Sequence, residues 1–109
     1  MSQHVFKTKY KNRPVMVLAG WDRPLQGFFL VVSRVNAKGR EEGCVFSNLE
    51  CQESHPKSFD PFRAKLQNLG IEIPTEMIDE ILHDGRENCG NKRVIHEVKE
   101  GVYSRDQKY

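Results

Sequence analysis

Residues 13–35, RPVMVLAGWDRPLQGFFLVVSRV, decide the fold. Two runs rich in Val, Leu and Phe, residues 15–21 and 26–35, flank the polar segment Trp21-Asp22-Arg23-Pro24-Leu25-Gln26. Branched and aromatic side chains suit the pleated surface of a strand, and Asp and Pro suit a turn, so the stretch predicts two paired strands. Both runs are apolar on both faces, which suits the interior of a sheet better than its edge.

Working outward, residues 4–10 alternate, with Phe6, Thr8 and Tyr10 on one side and Val5, Lys7, Lys9 and then Lys11 on the other. Period two predicts a half-buried strand with a basic outer edge. Residues 11–14, KNRP, read as the turn into the next strand. Residues 36–43, NAKGREEG, read as a hairpin loop, and residues 44–49 as a fourth strand opening on a core cysteine, Cys44. Residues 50–58 have no periodicity and read as a loop.

The period then changes. Asp60-Pro61 combines an acidic N-cap with proline in the first turn, Phe62, Leu66 and Leu69 follow at helical spacing, and Gly70 stops the helix. Pro74-Thr75 opens a second helix in which Met77, Ile78, Ile81, Leu82 and Gly85 share a face, the glycine allowing close approach to a sheet. Residues 92–98 offer a further strand, with Val94, His96 and Val98 on one side. The expected fold is α+β: an antiparallel meander of about four strands, two helices packed on one face, and a possible C-terminal strand. Residues 1–103 make a single domain and the polar residues 104–109 a fraying tail.

The 109 residues are 38% hydrophobic and 29% charged, which excludes disordered and membrane-spanning classes. Three cysteines, odd in number and unevenly spaced, and an N-terminus without an apolar stretch predict a reducing, cytoplasmic setting. The net charge of +2 conceals an asymmetry. Residues 1–40 carry eight Lys/Arg against one Asp, whereas residues 41–90 carry four against eleven Asp/Glu. A basic sheet and acidic helices follow, either as ordinary solvated faces or as surfaces for different partners.

The blocks RPVMVLAGWDRPLQGFFLVV, FSNL and LGIEIPTEMIDEILHDGRENCGN together resemble a group of small bacterial proteins without an assigned activity. That resemblance, running from about Val5 to Val94, implies a cytoplasmic bacterial setting. It brings no cofactor and no catalytic residue.

Three groupings bear on chemistry. Trp21, Asp22, Arg23 and Gln26 can offer a flat apolar surface rimmed by charge, the composition of a protein-binding hot spot, or Trp21 can simply cap the core. Lys7, Lys9 and Lys11 form a basic stripe able to track phosphates, with Tyr10, Phe28 or Phe29 as stacking platforms, or they guard a sheet edge. Cys51, His55, His83 and Cys89 have the residue types of a zinc site but not its close Cys-x-x-Cys spacing. No catalytic signature is present, and Glu72, Glu76, Asp79, Glu80 and Asp84 fit the first turn and solvent face of a helix. The expectation is a non-enzymatic interaction or regulatory module without cofactor or metal, working through Trp21, Asp22, Arg23 and Gln26. Nucleic-acid binding is the alternative, and a small enzyme or zinc protein using the loop Cys and His is a further one. Two helices cover one face of such a sheet, so the other needs the C-terminal segment, a second copy in a homodimer, or a partner.

Overall fold

In the computed structural model, which describes residues 1–108, the two apolar runs form β2 (Arg13–Asp22) and β3 (Gly27–Val35). They pair antiparallel with Val17 opposite Val32 and Trp21 opposite Phe28. β1 (Ser2–Tyr10) joins the other side of β2 through a two-residue turn, Lys11 and Asn12, with φ of 52° and 64°. Positive φ at both turn residues matches the twist of the flanking strands. β4 (Glu41–Ser47) pairs with β3 and irregularly breaks register twice. It begins earlier than expected, and Cys44 is exposed on this outer strand rather than in the core.

The last third of the chain alters the topology. β5 (Lys92–Lys99) lies parallel to β1, and β6 (Val102–Gln107) returns antiparallel to β5 through Glu100 and Gly101. The strand order is β4-β3-β2-β1-β5-β6. Three expectations change. The sheet has six strands with one parallel pair, and β1 is internal, so its lysines guard no edge. The polar residues from Ser104 to Gln107 belong to β6, because β5 supplies a backbone ladder that needs no apolar side chains.

Two helices pack on one face: α1 (Asp60–Leu69) and α2 (Thr75–Arg86). Gly70 ends α1 at φ 73°, the left-handed conformation that glycine adopts without strain. The cap at the other end is Phe59, not Asp60, which is itself the first helical residue. Phe59 at the cap of α1, Phe62 and Leu66 within it, and Met77 and Ile81 from α2 meet Val15, Val17, Trp21, Phe28, Leu30, Val32 and Phe46 of the sheet. α2 sits close because Gly85 has no side chain: a Cβ there would stand 2.6 Å from Phe28 Cζ. Burial of each large core side chain contributes about 1.5–3 kcal/mol.

Among the described residues no helix covers the opposite face. The C-terminal hairpin extends the sheet instead of folding across it. Val5, Met16, Leu18, Phe29, Val31 and Ile95 therefore lie on an open side, with Met16, Leu18, Val31 and Ile95 only half-buried.

Candidate functional site: a buried histidine pair beneath an open basic face

On the helix side, the space between α2 and strands β1, β5 and β6 holds polar side chains. A polar cluster fills the gap. His4 of β1 and His96 of β5 are neighbours across the parallel ladder, 0% and 1% exposed. His4 Nδ1 lies 2.9 Å from His96 Nε2, and His4 Nε2 lies 2.6 Å from Asp84 Oδ2 on α2. The outer nitrogen of His96, Nδ1, is 2.7 Å from the Tyr103 hydroxyl on β6. Lys92 Nζ donates to Asp84 Oδ1 at 2.7 Å and reaches Glu80 at 2.8 Å, while Arg105 grips both Glu80 oxygens.

The electrostatics follow from these partners. Burial works to raise Asp84, but hydrogen bonds from His4, Lys92 and Ser2 overcome it and hold the carboxyl at about 2. The Arg105 bond, outweighing burial, holds Glu80 at about 2 as well. Burial would lower Lys92, yet its bonds to Asp84 and Glu80 keep it above its ordinary value. Burial first, and the charge of His4 second, push His96 down to about 4. An ionised Asp84 obliges His4 Nε2 to donate. One proton then lies between His4 Nδ1 and His96 Nε2, and whichever ring holds it donates to the other. Every buried side-chain polar atom among the described residues has a partner.

Asp84 and Glu80 are thus not solvent-face carboxylates. Asp84 is 0% exposed because it follows Met77 and Ile81 along the buried stripe of α2. That spacing, with His96 between Val94 and Val98, was the only sequence signal of the cluster, since a polar residue at an inward position looks like surface.

The other groupings are dispersed. Trp21 is 6% exposed, packs edge-on against Phe28 and donates from Nε1 to Asn88 Oδ1 at 2.9 Å. Asp22 is buried and accepts from the Leu25 N–H, while Gln26 donates to Arg23 O and Asn88 Oδ1. Arg23, Pro24 and Leu25 remain on the surface. Among the described residues no three of Cys51, His55, His83 and Cys89 converge; the one cluster of metal-ligating type is His4, Glu80 and His96. Burial, then Asp84, pushes the Cys89 thiol up, away from the thiolate a nucleophile needs.

Lys7 and Lys9 point to the open face. The ladder between β1 and β5 ends at Phe6 opposite His96, and a cavity of about 540 Å³ lies beyond it, lined on the open face by Val5, Met16 and Ile95 and at its far end by Val98. An adjoining cavity of about 550 Å³ shares Lys7 and Gly39 with the first, and includes Lys9, Pro14, Val35 and Lys38. Tyr10 faces the helix side beneath Lys11, and Phe28 is in the core, so neither ring stands with the Lys7–Lys9 stripe.

No family model, curated protein or solved structure matches the chain.

Chemically, the polar cluster can hold and move protons or bind a cation, and the open face can bind an anion. No helix among the described residues is long and apolar enough to cross a membrane.

Proposed function

We propose that the protein is a non-enzymatic interaction module that takes an acidic, extended segment of a partner protein along its open sheet face. The observation that carries this reading is the charge of the groove. Lys7, Lys9, Lys38, Arg93 and Lys99 line its two cavities against Glu97 alone. The floor is aliphatic, which suits a segment alternating acidic and aliphatic side chains, as one face of an extended chain does. The two cavities adjoin through Lys7 and Gly39, so the groove is elongated rather than a compact pocket for one small molecule. A second copy docked face to face would set these cations against one another, which disfavours the homodimer. Nucleic acid is less well served, because Phe29, the aromatic ring on this face, is 6% exposed and cannot stack a base.

The test is an amide-resolved NMR titration with a peptide alternating Glu and Leu, run beside a Lys–Leu peptide and oligothymidylate. Salt-sensitive shifts at Lys7, Arg93 and Ile95 with the acidic peptide alone support the reading. Shifts gathered at Trp21–Gln26 would move the site to that loop. Shifts with oligothymidylate alone would give the face to nucleic acid.

A further inference from the structure

We propose that His4, His96 and Glu80 form a binding site for a divalent transition-metal ion of the zinc class. The three residues each present one ligand atom, all within 4.8 Å of one another. Two imidazoles and a carboxylate are a donor set that borderline ions such as Zn²⁺ accept while keeping a further position open.

Geometry, rather than residue type alone, carries the inference. Two imidazole nitrogens on one tetrahedral ion, each about 2.0–2.1 Å away, stand roughly 3.3 Å apart, a few tenths of an ångström from the separation found here. His4 Nδ1 and His96 Nε2 stand 2.9 Å apart. A ligating imidazole needs its other nitrogen fixed by a hydrogen bond, which sets tautomer and ring orientation. Both rings have that partner: Asp84 Oδ2 for His4 and the Tyr103 hydroxyl for His96. Adjacent strands hold the two rings, and both are buried, so little order remains to be imposed on binding.

In the metal-free protein a proton occupies the place between the rings. An ion displaces it but sits to one side of the line joining the two nitrogens, since about 2.0–2.1 Å to each does not fit within their 2.9 Å contact. With both rings neutral, the proton on His96 Nε2 moves to Nδ1, where the Tyr103 oxygen turns to accept it, and both facing lone pairs become available. Glu80 completes the set at the cost of its two cation partners, Lys92 at 2.8 Å and the more exposed Arg105 guanidinium. Release of Arg105 to solvent also relieves the excess positive charge that the ion brings, while Lys92 stays on Asp84. Arg105 thus competes with the metal for Glu80.

Co²⁺ is the probe, read by its visible absorption and competed by Zn²⁺, in a background with Cys44, Cys51 and Cys89 changed to Ser. One equivalent should bind. Glu80→Gln should weaken it at least roughly tenfold, and Asp84→Asn about 10–100-fold. Arg105→Ala should lower the stability of the metal-free protein yet tighten Co²⁺ several-fold, opposite signs that a purely structural ion pair does not give. Glu80→Gln keeps the buried pair intact, so the test does not depend on His4 or His96 variants folding. No bound Co²⁺ spectrum at millimolar metal, or one unchanged by Glu80→Gln and Arg105→Ala, overturns the proposal; the latter would mean binding at surface histidines such as His83.

Discussion

His4 Nδ1 and His96 Nε2 lie 2.9 Å apart although 92 positions separate them in the chain. The contact ties the first strand to the last hairpin, and Asp84, bonded to His4, ties both to α2.

Asp84 is therefore expected to be the most sensitive carboxylate in the protein. Asp84→Ala leaves His4 and Lys92 without their buried partner and should cost about 3–5 kcal/mol, as breaking a buried pair does. Asp79→Ala, on the exposed side of the same helix, should stay within about 0.5 kcal/mol. Urea unfolding of both variants checks the contrast, and equal midpoints would refute the role given to Asp84.

The acid limb of stability should have two windows in chelator-treated protein. His96 has its pKa lowered from 6.5 to about 4 by burial and by His4, so the unfolded chain takes up the proton first. Stability should then fall as pH drops from about 6.5 to about 4, by roughly 3 kcal/mol at most. Glu80 and Asp84, lowered to about 2 from 4.5 and 3.8, add a further loss as pH falls from those ordinary values toward about 2. Urea unfolding across this range should show both, and His96→Gln should flatten the upper window while leaving the lower.

Gly85→Ala should destabilise although alanine is the better helix former. The propensity gain is about 1 kcal/mol, but the new methyl meets the Phe28 ring at 2.6 Å. Overpacking of that kind costs about 1–3 kcal/mol, and a net loss in thermal unfolding is expected. A stabilised variant would mean that α2 does not sit against Phe28.

Trp21, the sole tryptophan, should emit at short wavelength and resist iodide quenching, because the ring is 6% exposed. Trp21→Phe keeps the packing on Phe28 but loses the bond to Asn88, worth about 1 kcal/mol. Efficient quenching would place the ring on the surface instead.

Replacing Lys7 and Arg93 together by Glu should abolish binding of the acidic peptide. Lys7 is exposed and Arg93 half-buried, with its guanidinium donating to the Gln3 side chain, so the thermal midpoint should move little. Retained binding in fluorescence anisotropy would remove the groove from the recognition surface.

The sequence made some of this legible and hid the rest for physical reasons. The apolar runs around Trp21, the stop at Gly70 and the close approach at Gly85 each follow from a local rule, and each stands where local rules placed it. β5 lying parallel to β1 is not local: its partner stands some ninety residues away, and no turn fixes the pairing. β6 was hidden because its inward residues Tyr103 and Arg105 meet other polar groups, not hydrocarbon. The histidine cluster was hidden by the same exchange of apolar for polar packing, which leaves the hydrophobic pattern silent where the chemistry is densest.

The insertion of β5 beside β1 also orders events in time. Until Lys92 to His96 has been synthesised, a chain emerging from the ribosome holds β1 with one edge unpaired and His4 without its neighbour. Such an edge is a template for pairing with another chain. The slow event in folding should then be the arrival of the last hairpin, since long-range pairing is what limits rate. An interrupted chain ending after α2 would be the aggregation-prone species.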